Sequence, residues 1–127
     1  MDFGTVLWLH RGIGNAIPLY MFILGVLSFI NYARGRGVDG GIVGAVIIGE
    51  LMTIIQATLG VTMLTVLGGL EQRAIHILYG CLAVIFLPGL WIYTRGETDR
   101  RASLIWGVAG IFMMGLTLRA IGTAGIN

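Results

Sequence analysis

The chain has 127 residues, 57% of them hydrophobic and only 11% charged, with 21 glycines and a mean hydropathy of +0.92. Soluble domains carry about 25% charged residues, so this composition excludes one and calls for lipid as the solvent. The net charge of +2 comes from eight basic residues, all arginine, against six carboxylates. No basic run follows a phosphate backbone, and nucleic acid is not an expected partner.

The length suits one transmembrane domain over residues 1–127. Charged punctuation divides it into four apolar stretches. The first helix is expected over 6–33, interrupted only by His10-Arg11 and closed by Arg34-Gly-Arg-Gly-Val-Asp39. The second, over 40–68, carries Glu50 and stops at Gly68-Gly69. A third is expected over 73–94, ending before Arg95-Gly-Glu-Thr-Asp-Arg-Arg101, and a fourth over 102–121. Each has the roughly 20 residues that cross a ~30 Å hydrocarbon layer as a helix. The expected fold is therefore all-α, an integral membrane four-helix bundle running up-down-up-down. Asp2 stands where a signal peptide would carry a basic residue, so the first stretch reads as a retained span.

Arg34, Arg36, Arg95, Arg100 and Arg101 fall on one side of these spans, and Arg11, Arg73 and Arg119 near the other. That bias places the first group in the cytoplasm and both termini outside the cell (inner) membrane. Tyr32, Trp91, Tyr93 and Trp106 then fall at the inner interface and Trp8 at the outer one. Glycines on helices two and four suit close helix packing, and Pro18 and Pro88 predict kinks.

His10 and His76 lie near the outer ends of helices one and three. Those helices are diagonal in such a bundle, so two inward imidazoles at one level can hold a single heme iron. Each histidine has a glycine four residues on, Gly14 and Gly80, one turn deeper on the same face, where a flat macrocycle needs room. The competing reading is that each imidazole hydrogen-bonds a backbone carbonyl or faces interfacial water. Arg11, Arg73 and Arg119 share that end and suit heme propionates, or alternatively lipid phosphates.

These residues resemble those of one half of the heme A synthase family. The likeness rests on His10-Arg11 opening a helix and on Gln56-x-x-Leu59-Gly60-x-x-x-x-Thr65-x-x-Gly68 leading to His76, over roughly residues 7 to 95. It implies a four-helix bundle in which two histidines clamp one heme b, with the helix order permuted. Where the family's transforming half has a catalytic glutamate three residues before the first histidine, this chain has Leu7, and no cysteine pair is present. The resemblance thus implies heme holding for electron transfer or heme handling, and leaves enzymatic activity open.

Glu50 falls near the bilayer middle, about 15 Å along its helix, where a protonated carboxyl would bond Thr53, Gln56 or Asn15. Its functional reading, with Gln56, is a proton relay or a quinone contact; the alternative is a bond that ties helices together. Gln56 and Thr58 also read as interhelical links, and Cys81 as a buried thiol. Two other functions compete with the heme reading. One is a cofactor-free accessory subunit of a respiratory or photosynthetic complex; the other is a protein ligating a (bacterio)chlorophyll through one histidine. A homo-oligomer is compatible with each.

Overall fold

The computed structural model describes residues 2–66 and 74–124. Four helices make up the fold among these residues: α1, Phe3–Ala33; α2, Gly40–Thr65; α3, Ala74–Tyr93; and α4, Arg100–Gly122. All four are long and apolar enough to cross a membrane. The protein is an all-α bundle of membrane-spanning character, and a lipid bilayer is its environment. The expected end of the second helix at 68 and the start of the third at 73 lie outside the described residues.

Aspartates begin three of the helices. Asp2, Asp39 and Asp99 each accept from the backbone N–H three residues on, of Thr5, Ile42 and Ala102, at 2.8–2.9 Å. Each thereby satisfies one donor that the first turn leaves open. Within the spans, hydroxyls turn back on their own helices. Ser28, Thr58, Thr62, Thr65 and Thr117 each donate to the carbonyl four residues earlier, so these five hydroxyls are not left bare in hydrocarbon. Thr58 accordingly serves its own helix and not a neighbour.

Neighbouring helices are antiparallel, and α1 packs against α4 and α2 while α3 packs more thinly against α4 and α2. The α1–α4 seam is the closest. A Cβ placed on Gly110 would lie 2.5 Å from the Cα of Gly25, and one on Gly25 would lie 3.0 Å from the Gly107 carbonyl oxygen. Glycine at these positions lets two backbones touch, which in lipid replaces the hydrophobic drive that water would provide. Met21, Leu24, Trp106 and Met113 fill the core beside that seam. Trp106 is wholly buried there, with no exposed surface, and not in the interfacial belt to which the sequence assigns it.

At the end of the bundle away from the termini, the two helix-joining segments bind one another. Val38 N–H donates to the Thr98 carbonyl at 2.9 Å, the Ser103 hydroxyl donates to the Arg36 carbonyl at 2.9 Å, and Arg100 Nε donates to the Tyr32 carbonyl at 2.9 Å. Asn31 Nδ2 donates to both the Gly37 carbonyl and Asp39. A side chain at Gly37 would collide with the Thr98 carbonyl, so only glycine permits this crossing.

Candidate functional site: a histidine pair between diagonal helices

His10 lies two turns into α1 and His76 in the first turn of α3. Because α1 and α3 are diagonal, each imidazole enters the space between the other two helices. Their ring centres are 6.4 Å apart and the ring planes lie 75° to one another. Both side chains are half-buried.

Each ring is held by a backbone carbonyl. His10 Nδ1 is 3.1 Å from the Gln56 oxygen on α2, and His76 Nδ1 is 2.8 Å from the Ala120 oxygen on α4. A carbonyl only accepts, so Nδ1 carries the proton in both rings and donates it. A neutral imidazole so bonded keeps its lone pair on Nε2. Neither Nε2 is needed for these bonds, so each keeps a lone pair that can ligate, and a carbonyl partner on Nδ1 fixes tautomer and ring angle as it does behind metal-binding histidines.

Glycine sets this approach, though at a position that the spacing from each histidine does not indicate. Gly60, one turn beyond Gln56 on α2, faces His10: a Cβ there would be 3.2 Å from the ring's Cε1. The imidazole lies in the notch and so reaches the Gln56 carbonyl. Gly80 has nothing within 4 Å of the place its Cβ would take, whereas the space at Gly14 is filled by the Gln56 side chain, whose Nε2 lies 2.7 Å from that point. Gln56 Oε1 is buried without a hydrogen-bond partner. Gln56 and Glu50 do not meet. Glu50 instead accepts from the Thr53 hydroxyl at 3.2 Å and lines an apolar groove between α2 and α3 with Leu87, Pro88 and Trp91.

Arg11 and Arg119 are both exposed at the histidine end, Arg119 in the last turn of α4. Arg73 lies outside the described residues. Cys81 is exposed on α3, not buried. Ala120 is not singled out by the sequence and Gly60 only as part of the Gln56-x-x-Leu59-Gly60 motif, and neither is marked there as a partner of a histidine: one contributes a carbonyl, the other an absence.

A metal between these rings would have few protein ligands. No group of three or more His, Cys, Asp and Glu side chains is gathered among the described residues. A tetrahedral zinc site needs four ligands, so two imidazoles suit an ion whose remaining positions are filled by something else, as the four nitrogens of a porphyrin do. With metal–nitrogen bonds of about 2 Å and ring centres about 1.1 Å behind each nitrogen, imidazoles opposed on one ion would have centres about 6.2 Å apart; the two rings here lie 6.4 Å apart, edge to face at 75°.

The fold and this pair define a four-helix bundle of membrane-spanning character with two neighbouring, carbonyl-anchored histidines. No family model, curated protein or solved structure matches the chain.

Proposed function

We propose that the chain is a b-type cytochrome of the cell (inner) membrane, with heme b ligated by His10 and His76 near the extracytoplasmic side, where both termini lie. The observation that carries this reading is the pair of rings 6.4 Å apart, each bonded through Nδ1 to a carbonyl of a different helix. The bound heme supplies a one-electron couple. The protein's own residues do the rest: the carbonyls of Gln56 and Ala120 hold both rings in the ligating tautomer, and open space beside Gly80 admits a flat group. Arg11 and Arg119, with Arg73, supply guanidinium groups for two propionates. Gln56 Oε1 is an acceptor left for a bound molecule. Electron exchange would be with a quinone or with a respiratory or photosynthetic complex seated in the same bilayer. Heme transfer is the other use of the same clamp.

The test is an absorption spectrum of the detergent-purified chain, oxidised and dithionite-reduced, with pigment extraction, repeated for His10→Ala and His76→Ala. A sharp reduced α-band of the b type, absent from both variants, is expected. Protein that stays colourless when heme is offered overturns the proposal. A second reading would then hold, a cofactor-free accessory subunit, because 6.4 Å and 75° also suit an edge-to-face ring contact and both rings already bond carbonyls. A band lost in only one variant favours single-histidine ligation, as for a (bacterio)chlorophyll.

A further inference from the structure

At the end opposite the histidines, the segment joining α3 to α4 borders an open polar pocket of about 240 Å³, lined by Tyr93, Thr94, Arg95, Glu97, Arg101 and Ile105. Tyr93 is the last residue of α3 and Ile105 lies in the second turn of α4. The pocket therefore straddles the level at which the apolar spans give way to water, where aromatic rings settle. Thr94 forms its floor: it is 7% exposed, and its hydroxyl donates to the Trp91 carbonyl.

Three charged side chains line this space, Arg95, Glu97 and Arg101. Arg95 has φ 54° and Gly96 φ 67°, a left-handed pair that reverses the chain toward α4; for a long side chain such as Arg95 that conformation is uncommon. Arg100, the third arginine here, is occupied elsewhere, bonded to the Tyr32 carbonyl and lying 4.0 Å over the Tyr32 ring. Arg95 and Arg101 are the guanidinium groups of the pocket, and Glu97 is its single carboxylate.

We propose that this pocket binds the headgroup of a phospholipid with a primary ammonium, the phosphoethanolamine class, and this stands independently of the heme reading. Arg95 and Arg101 take the phosphate, for which planar guanidinium groups are the preferred donors. Glu97 takes the ammonium, two carbons away from that phosphate. The pocket's charges of both signs decide the ligand. An anionic headgroup lacking an amine offers Glu97 no ammonium to pair with. A trimethylammonium headgroup has no N–H to donate. Tyr93 and Ile105 then lie beside the glycerol and the first acyl carbons, continuous with the lipid that surrounds α3.

The test uses the full chain in detergent micelles doped equally with phosphatidylethanolamine, phosphatidylcholine and phosphatidylglycerol, with retained lipid measured by headgroup chromatography after gel filtration. The wild type is expected to hold phosphatidylethanolamine about fivefold over each of the others, the discrimination that one partly exposed ion pair of about 1 kcal/mol confers. Glu97→Gln, an isosteric change on an exposed loop, brings phosphatidylethanolamine down to the level of phosphatidylcholine. Arg95→Gly combined with Arg101→Gln abolishes retention of all three, and glycine suits φ 54° at position 95, so the backbone is not at risk. Equal retention of the three lipids, phosphatidylglycerol held above phosphatidylethanolamine, or a preference that survives Glu97→Gln would each overturn the assignment.

Discussion

The α1–α4 half and the α3 wall are built differently. Between α1 and α4 the backbones touch through Gly25, Gly107 and Gly110, and nine residues of α4 are buried. On α3 only Ala83 and Leu87 are buried, and its outer surface of Ile75, Leu78, Leu82, Ile85 and Ile92 is exposed to lipid. One histidine belongs to each half. The bundle therefore sets His10 on a tightly packed frame and brings His76 to it on a helix with fewer commitments. A ligand clamped between them would supply much of what ties α3 down.

Breaking the tight half has the largest expected effect. Gly110→Leu sets a branched side chain where even a Cβ lies 2.5 Å from backbone atoms of Gly25, and should prevent the seam from closing; loss of a monodisperse gel-filtration peak in detergent is the readout. Gly110→Ala should cost about 1–3 kcal/mol, read as a lower thermal midpoint by circular dichroism. A variant as stable as the wild type would show that the backbones are not in contact.

Gly60→Ala probes where the halves meet. The added methyl lies 3.2 Å from His10 Cε1, so the ring must move a few tenths of an ångström; about 1 kcal/mol of stability is the expected loss, with a shifted or weakened reduced band if heme is bound. Gly80→Ala sharpens the contrast, since nothing lies within 4 Å of that position. Helix propensity alone predicts a gain of up to about 1 kcal/mol for the empty protein, while reduced heme occupancy in the same variant would mark Gly80 as the macrocycle's side of α3.

The smallest effect concerns acid. The Ile42 backbone N–H, and after it the Asn31 side chain, hold the Asp39 carboxylate below its ordinary value of 3.8. A carboxylate depressed in the folded state stabilises fully above its unfolded value and loses that contribution as pH falls through the folded one. Asp39→Asn keeps a capping oxygen, so its acid unfolding profile should be flatter than the wild type's below pH 3.8. Parallel profiles would show the cap to be uncharged in its effect.

Much of the architecture is legible in the sequence, because charge placement alone separates four spans and fixes which helices are diagonal. Equal depth of His10 and His76 follows from counting along those spans. What the sequence does not disclose is which carbonyl each ring meets, since Gln56 and Ala120 act through backbone atoms that every residue has. Gly60 is hidden among many glycines, and its use depends on the rotation of α2 about its axis. Trp106 reads as an interfacial anchor by position, but the small residues Ala102, Ser103 and Ala109 beside it on α4 make room for an indole in the core.

The pairing of Val38 with the Thr98 carbonyl, together with the α1–α4 seam, has a consequence for how the chain is made. Spans emerge from the ribosome one at a time, and α1 must wait for α4 before its largest interface exists. Until α4 arrives, the Gly25 face of α1 has only lipid against it, and the first connecting segment lacks the second to which it bonds. Assembly is thus gated by α4, and the histidine pair, half of it fixed through Ala120, is completed only when α4 has closed the ring.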